Sequence, residues 1–495
     1  MNSSAPTCLV DIQQHWQKHC TSGLNGFDWL GAPIKGDWLA EQVQKQRQIL
    51  ATILECSPNS YKQIVGIAIA DGIENLVLGL ALALEGITQT ILPITATSTE
   101  QILLSRRFKL THLIGVAGPP DRECWQPVGS ALGLGCWRKV NTVEYELDGS
   151  SYPDGTCGQH EDGGRDLGPL IFLGTTSGTT TGRPGLTKIH SRTLRDIVLS
   201  KRWSPYDLVR KPLFGPDMQN WSSRTSKLRQ LLQGRSFVTR PSLTPLASNP
   251  LPSDCDGTLM APGGLRRRLA QGDLLHCSPD FLIISGSDHV PMELRRTVAA
   301  IDGISLGITY ATSQTGPLTW LPPEALLDET DSVGWLLPDV TLKSVESGSI
   351  LERENLSFRE ALITKSNKSL NPGDLLAISA SGQVIFGGRA NDVFLFNSVL
   401  ISPLEIEDVL MQHPGINECA AFGATSARFG SVPMAAITAR PQWPSEKILQ
   451  ELEALCRASL GIRRPRKLII MDTIPKGNTG KALRRELSRM HALQQ

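Results

Sequence analysis

A loop rich in glycine and threonine carries the first sign of chemistry in this sequence. It is Gly174-Thr-Thr-Ser-Gly-Thr-Thr-Thr-Gly-Arg-Pro-Gly185, and it follows the apolar run Leu170-Ile-Phe-Leu173, which predicts a buried strand. Backbone N–H groups and hydroxyls in one flexible turn suit the oxygens of a triphosphate. The loop differs from a Walker-type loop, because the spacing of its glycines is shorter and no Lys-Ser or Lys-Thr pair follows. Taken alone, such a loop is more often an ordinary surface turn.

Further motifs follow this loop in a fixed order, and together they resemble those of the adenylate-forming superfamily. That superfamily includes acyl-CoA synthetases, peptide-synthetase adenylation domains and firefly luciferase. The resemblance covers nearly the whole chain, and it implies that the protein uses ATP and Mg2+ to convert a carboxylic acid to acyl-AMP with release of pyrophosphate. The motifs are Thr176-Ser-Gly-Thr-Thr180, Tyr310-Ala-Thr-Ser-Gln314, Asn371-Pro-Gly-Asp374, Gly388-Arg-Ala-Asn-Asp392 with Ile401-Ser-Pro-Leu-Glu-Ile-Glu407, and Ile474-Pro-Lys-Gly-Asn-Thr-Gly-Lys481.

The resemblance also implies which residues bind the nucleotide. Tyr310 would pack on the adenine, Asp374 would accept hydrogen bonds from the ribose hydroxyls, and Arg389 would contact ribose or phosphate. Without the resemblance, Asp374 reads as a turn former after Pro372-Gly373 and Arg389 as an exposed turn arginine. The complete implied set is Thr176, Ser177, Gly178, Thr179, Thr180, Tyr310, Ser313, Asp374 and Arg389.

Lys481 is the implied catalytic residue. Attack of a carboxylate on the α-phosphate joins two anions, so the protein must offset negative charge and hold the reacting atoms in line. A lysine ammonium is charged at neutral pH and reaches on a flexible stem, and the preceding Gly480 lets the backbone approach the site. The alternative is that Lys481 lies on the solvated face of a basic tail that includes Arg484 and Arg485.

Two departures from the family's pattern bear on activity. Gln314 stands where the family has a glutamate that helps to hold Mg2+, and a neutral amide attracts a hard cation less strongly. Asn397 and Ser398 lie in a segment that family members turn toward the incoming thiol, and Ser398 replaces the usual glycine. A serine there narrows the passage for pantetheine. These departures leave open a nucleotide-binding pseudoenzyme that serves in interaction or regulation.

The sequence gives less information on the identity of the acyl acceptor and of the acid than on the nucleotide site. The thiol is expected to come from CoA or from a discrete phosphopantetheinyl carrier protein, and the segment from Phe396 to Pro403 resembles stand-alone acyl ligases of specialised metabolism. Gly286 and His289 are tentative members of the pocket for a small carboxylic acid. An amino-acid-adenylating enzyme that charges a carrier is a second hypothesis within enzymes.

Alternating strands and helices are predicted along the first part of the chain. This alternation predicts βαβ units and a mainly parallel sheet, with ligands beyond the carboxyl ends of the strands. The predicted elements are a helix over 39–54, a strand over 64–69, a helix ending at Leu84, a strand over 90–94, a helix over 99–108 and a strand over 112–116.

The pattern changes near the end of the chain. A hairpin is predicted over 379–386, and the pair Gly387-Gly388 suits a hinge because glycine absorbs large backbone changes cheaply. A compact α+β unit with helices over 403–412 and 445–460 follows. We therefore expect an α/β protein in which residues 1–387 form layered mixed sheets with helices and bind ATP and the acid. Residues 388–495 would form a small mobile α+β lid that carries Lys481.

Composition excludes other classes of protein. A net charge of +1 provides no field that would attract nucleic acid or an anionic membrane. The apolar run 75–84 is bounded by Glu74 and Glu85 and is about half the length that a bilayer requires, so it predicts a buried helix. Ten cysteines are scattered without a Cys-x-x-Cys pair, and the first residues lack the apolar core of a signal peptide. A cytoplasmic protein with reduced thiols is predicted.

Overall fold

A computed structural model describes residues 7–492 with internal gaps. The gaps are 22–25, 55–62, 70–71, 93–96, 116–117, 120, 122–123, 141–167, 176–185, 200–202, 216–220, 241–244, 313–314, 330, 352–357, 366–367, 398, 427–429 and 477–481. The contacts divide the chain into two compact units. One comprises Met1–Thr176, Gly185–Thr258 and Leu275–Ser278, and the other Ser177–Pro184, Leu259–Leu274 and Pro279–Gln495.

The first unit alternates helices and strands as the sequence predicts. Its described helices are α1 (Thr7–Thr21), α2 (Gly36–Ile53), α3 (Ile73–Leu84), α4 (Ser98–Arg107), α5 (Ser191–Leu199) and α6 (Trp221–Leu232). Its described strands are β1 (Phe27–Trp29), β2 (Ala32–Ile34), β3 (Ile64–Ala68), β4 (Thr88–Ile91), β5 (His112–Gly115), β6 (Trp125–Ala131), β7 (Leu134–Lys139), β8 (Leu170–Thr175), β9 (Leu186–His190), β10 (Pro212–Phe214) and β11 (Val238–Thr239), and β12 (Gly257–Met260) begins in it.

Two sheets organise this unit. The first has the order β6-β7-β5-β3-β4-β8-β9, with parallel pairing among β5, β3, β4 and β8 and antiparallel pairing at both edges. The predicted parallel strands are confirmed, and they lie at the centre of a mixed sheet. The second sheet contains the order β12-β10-β11-β1-β2, which is parallel except for the β1–β2 hairpin.

Helix α3 is buried along most of its length, as its apolar run predicts. Residues 75–84 are all buried, and they include Asn75 among leucine, valine, alanine and glycine. A helix that is apolar all round needs protein on every side, which explains its place in the core. None of the helices in the described part of the chain is both long and apolar enough to cross a membrane.

The second unit continues the α/β pattern and then becomes α+β. Its described helices are α7 (Pro262–Ala270), α8 (Met292–Ala299), α9 (Pro403–Leu410), α10 (Ser445–Leu460) and α11 (Arg484–Met490). Its described strands are β13 (Phe281–Ser285), β14 (Ile304–Ile308), β15 (Ala311–Thr312), β16 (Gly316–Pro317), β17 (Thr319–Trp320), β18 (Trp335–Leu336), β19 (Val340–Ser344), β20 (Arg359–Lys365), β21 (Lys368–Leu370), β22 (Asp374–Ile378), β23 (Val384–Arg389), β24 (Phe394–Phe396), β25 (Val399–Ile401), β26 (Ile416–Ser426), β27 (Gly430–Ala439) and β28 (Lys467–Ile470).

Three groups of strands position the residues of interest. Strands β13 and β14 pair in parallel, and β19, β20, β22 and β23 form an antiparallel sheet in that order. The predicted hairpin is confirmed, with Ile378 opposite Val384. Toward the end of the chain, β26, β27 and β28 form a sheet against which α9 and α11 pack. Buried side chains of α9, α10, β26 and β27 share one hydrophobic cluster.

The predicted hinge glycines lie in β23. Gly388 is opposite Leu375, next to an irregularity in the strand register, and its φ of +101° belongs to the region that favours glycine. A Cβ at Gly387 would overlap the ring of Phe358. The backbone at position 388 therefore favours glycine, and a side chain at position 387 would displace the ring of Phe358. The division between residues 387 and 388 into two domains stays a prediction.

Candidate active site

Three of the sequence-predicted nucleotide residues lie together in the second unit. Asp374 is the first residue of β22 and Arg389 the last of β23, and the two are opposite each other in the strand pairing. The turn before Asp374 is fixed locally, because Gly373 has a φ of +73° and donates its N–H to Asn371 Oδ1 at 2.8 Å. The Asn-Pro-Gly-Asp motif thus fixes the position of Asp374 at the beginning of β22.

The contacts of Asp374 join these residues into one charged cluster. Tyr310 Oη donates to Asp374 Oδ2 at 2.5 Å, and Arg389 Nε lies 3.0 Å from Asp374 Oδ1. Asp374 is buried, whereas the Arg389 side chain is about one third exposed. Burial, and then the charge and hydrogen bond of Asp374, raise the pKa of Tyr310. Tyr310 therefore keeps its proton and acts as a donor.

This cluster offers the groups that a nucleoside requires. A carboxylate can accept hydrogen bonds from two hydroxyls, and the guanidinium beside it carries positive charge toward solvent. The Tyr310 ring also supplies an aromatic face, packed 6.0 Å from the ring of Phe386. The cluster is consistent with the roles predicted for Tyr310, Asp374 and Arg389, which stay predictions.

The segment that carries Lys481 is anchored on both sides. Residues 477–481 lie outside the described part of the chain, but Lys476 and Ala482 form an antiparallel bridge around them. Leu483 N donates to Pro475 O at 2.8 Å, and Lys476 Nζ lies 2.5 Å from Glu418 Oε1. The described residues on either side of the segment that contains Lys481 are thus fixed to each other.

Arg484 anchors the residues that follow this segment to helix α9. Its guanidinium donates to both carboxylate oxygens of Glu407, at 2.8 and 3.0 Å, and to Ala421 O at 3.1 Å. Asp392 lies 3.5 Å away. Burial acts to lower the pKa of Arg484, but the carboxylates of Glu407 and Asp392 outweigh it and raise the pKa. Arg484 is therefore not on a solvated face, and the alternative of a solvated position for Lys481 stays untested.

The hairpin of β24 and β25 holds the residues predicted for the thiol passage. Asn397 forms its turn with a φ of +48°, a conformation that asparagine tolerates better than most residues, and Ser398 lies outside the described residues. Leu395 and Leu400 are opposite each other on the two strands, and both are more than half exposed. The hairpin presents an apolar pair beside the turn.

His289 lies in a second charged cluster rather than at an open surface. Its Nε2 is 2.8 Å from Asp408 Oδ1 and 3.4 Å from Asp331 Oδ1. Gly286, at the end of β13, approaches the backbone of Thr309 so closely that a Cβ would meet the carbonyl oxygen. A role for Gly286 and His289 in the acid pocket stays a prediction. The sequence reasoning missed the partners Asp331 and Asp408, because neither belongs to a motif that points to the other.

Several predicted site residues lie outside the described part of the chain, so the structure does not place them. They are the hydroxyl loop Thr176, Ser177, Gly178, Thr179 and Thr180, the pair Ser313 and Gln314, and the catalytic candidate Lys481.

A family model matches the C-terminal part of the chain. Residues 405–481 match the AMP-binding enzyme C-terminal domain. Among curated relatives, the 2-succinylbenzoate–CoA ligase of Listeria monocytogenes is 28% identical over 199 residues, which are 38% of this chain and 41% of that protein. A long-chain-fatty-acid–CoA ligase of Escherichia coli is 36% identical over 123 residues, which are 24% of this chain and 21% of that protein. The aligned regions thus span less than half the length of these relatives.

The fold is shared over the whole chain. The o-succinylbenzoate CoA synthetase of Bacillus subtilis, solved with its acyl-adenylate intermediate, superposes with a TM-score of 0.73, covering 99% of each chain at 16% identity. The chain therefore shares the fold of that synthetase. Similarity to the AMP-binding enzyme C-terminal domain is thus shown for residues 405–481, and similarity to CoA ligases for the aligned parts of the chain.

Proposed function

We propose that this protein is an AMP-forming acid–thiol ligase. It joins a small carboxylic acid to ATP as acyl-AMP, with release of pyrophosphate, and then transfers the acyl group to a thiol. The cluster of Tyr310, Asp374 and Arg389 carries this proposal, because it presents nucleoside-binding groups at the positions that the family motifs predict. The match of residues 405–481 to the C-terminal domain family supports it independently.

The chain's own residues divide the work of the first step. Asp374 accepts hydrogen bonds from the ribose, Tyr310 packs on the adenine, and Arg389 adds positive charge near ribose or phosphate. The hydroxyl loop of residues 176–180 holds the phosphates. A carboxylate oxygen of the acid attacks the α-phosphorus, the bond to pyrophosphate breaks, and Lys481 offsets the charge that gathers there. Mg2+ accompanies the nucleotide, with Gln314 as a proposed contact.

The second step uses the hairpin that contains Asn397 and Ser398. The sulfur of a thiol attacks the acyl carbon, and AMP leaves. The acceptor is CoA or a discrete phosphopantetheinyl carrier, and the exposed Leu395 and Leu400 favour the carrier, because they offer apolar surface next to the proposed thiol passage. A swivel of residues 388–495 lets one cleft serve first the attack of the acid on ATP and then the attack of the thiol on acyl-AMP.

We also place the protein in the cytoplasm. Its described cysteines form no disulfide, and most of them are buried, which suits a reducing compartment.

ATP–pyrophosphate exchange with a panel of aliphatic, aromatic and amino acids tests the first step. Exchange that depends on one class of acid is expected. Binding of ATP without exchange for any acid would instead favour the nucleotide-binding pseudoenzyme. Dependence on an amino acid would favour the enzyme that charges a carrier with an amino acid.

A further inference from the structure

The cluster around His289 joins segments that lie far apart in the sequence. His289 follows β13, Asp331 lies in the turn before β18, and Asp408 is on helix α9. The ring nitrogen of His289 and one carboxylate oxygen of each aspartate lie within 4.8 Å of one another. His289 and Asp331 precede the predicted hinge at residue 388, and Asp408 follows it. The cluster therefore connects the two sides of the predicted hinge.

The two carboxylates of this cluster have few hydrogen-bond donors among the described residues. His289 Nε2 can donate one proton, and it is 2.8 Å from Asp408 Oδ1. Asp331 Oδ1 is buried and has no hydrogen-bond partner among the described residues. Two carboxylates held this close repel each other unless a proton is added between them.

The nearby Arg295 does not supply that proton. Its guanidinium donates to the backbone carbonyls of Val290 at 2.9 Å, Ser332 at 2.9 Å and Glu329 at 3.3 Å. Arg295 thus contributes charge to the cluster while its N–H groups are directed at carbonyl oxygens. Burial lowers its pKa to about 10, so it is charged across the neutral range.

The pKa values of the cluster indicate that its closed arrangement binds protons. Burial and the neighbouring Asp408 raise the pKa of Asp331 to about 7. Burial acts to lower the pKa of His289, but the hydrogen bond and charge of Asp408 and the charge of Asp331 outweigh it and raise the pKa. For both groups, the closed cluster is favoured at low pH and loses that advantage as pH rises through the raised pKa.

Other charged groups face the cluster from the elements around it. Glu407, on α9, and Arg484, on α11, form their own pair, and the Arg484 charge is further influenced by Asp392 and by Asp288 beside His289. The charge of His289 in turn lowers the pKa of Glu407. Burial raises the pKa of Glu407, and the Arg484 charge opposes that rise. Asp331, with a pKa of about 7, carries the titration near neutral pH.

We propose that His289, Asp331 and Asp408 form a proton-dependent latch that holds α9, and with it residues 388–495, against the region around β13 and β18. Residues 279–495 form one compact unit, so the described structure is the latched arrangement. Rising pH releases the latch and frees the C-terminal segment to swivel. The inference rests on the two-step function proposed above, because that function gives the swivel its purpose.

A distance measurement tests the latch without any substrate. Spin labels are attached through bioorthogonal residues introduced at the exposed positions Asp302 and Glu446, and pulsed dipolar spectroscopy gives the distance distribution at pH 6.0 and pH 8.5, with and without EDTA. If Asp331 returns to an ordinary pKa when released, its ionisation alone lowers the ratio of latched to released molecules by about tenfold between these pH values. The same distribution at both pH values would overturn the proposal, and so would a pH dependence that EDTA abolishes, because a metal ion would then control the contact.

Two variants separate a latch from a merely structural contact. Asp331→Asn keeps the shape and the left-handed backbone, since Asp331 has a φ of +59° and asparagine tolerates it, while it mimics the protonated acid. We expect this variant to stay latched at pH 8.5, and His289→Ala to be released already at pH 6.0. Glu453→Gln, at an exposed carboxylate on α10, is the matched control and should behave as the parent. Release of Asp331→Asn at pH 8.5 to the parent's extent would contradict the latch. Because no substrate is present, the latch and the proposed function can fail independently.

Discussion

Arg484 and Glu407 form a two-pronged ion pair that ties the start of α11 to α9, directly beside the loop that carries Lys481. The guanidinium donates at 2.8 and 3.0 Å to the two carboxylate oxygens, and Glu407 Oε1 also accepts from Ala421 N at 2.7 Å. The residues that follow the Lys481 segment are thus held by an interaction that is largely buried. The Lys476–Ala482 bridge joins the described residues on either side of that segment.

Breaking this pair should destabilise the C-terminal segment. Arg484→Gln leaves the Glu407 carboxylate buried without its ion partner, which costs roughly 2 to 4 kcal/mol of unfolding free energy, toward the lower end because the pair is partly exposed. Urea denaturation monitored by circular dichroism measures this. Arg489→Gln is the control, because its partner Glu486 is at the surface, and it should leave the midpoint nearly unchanged. Equal midpoints for the two variants would contradict the anchoring role of Arg484.

Removing the charge of Asp374 should weaken nucleotide binding. Asp374→Asn keeps the side-chain shape but loses the charge-assisted hydrogen bonds to ribose hydroxyls, and we expect AMP to bind about tenfold to a hundredfold more weakly. Titration calorimetry with AMP measures the Kd. Tyr310→Phe removes only the hydroxyl that donates to Asp374 and should have the smaller effect. An unchanged Kd for Asp374→Asn would show that the ribose does not reach this carboxylate.

The neutral side chain of Gln314 predicts weak binding of Mg2+, which one substitution should strengthen. Gln314→Glu supplies a carboxylate, which is a better ligand for a hard cation, and a gain of about 1 kcal/mol would lower the half-maximal Mg2+ concentration about fivefold. Titration of Mg2+ against pyrophosphate exchange in parent and variant measures this. An unchanged or raised Mg2+ requirement would mean that Gln314 does not contact the metal.

Local patterns predicted much of the fold. The predicted helix over residues 445–460 coincides with α10, and the hairpin over 379–386 is present, because periodicity and turn residues act over short distances. The antiparallel hairpin of β6 and β7 at the edge of the first sheet was not predicted, since no element of the alternating pattern required it.

The charged contacts of the site were harder to predict than its motifs. Tyr310, Asp374 and Arg389 were each named from a motif, and the structure brings them together. Asp408 and His289 are 119 positions apart, and nothing in either local sequence indicates their contact. The sequence places Arg484 in a basic tail with a solvated face, because only tertiary packing brings Glu407 against it.

The central claim is that Lys481 supports the formation of acyl-AMP. ATP–pyrophosphate exchange with the preferred acid, compared between the parent, Lys481→Ala and the exposed control Lys467→Ala, tests it most directly. Loss of one oriented charge donor in such a site costs roughly 3 to 4 kcal/mol, so Lys481→Ala should lower the exchange rate about a hundredfold to a thousandfold while ATP affinity and folding are nearly unchanged. Lys467→Ala should match the parent. Exchange in Lys481→Ala within fivefold of the parent would contradict the assignment.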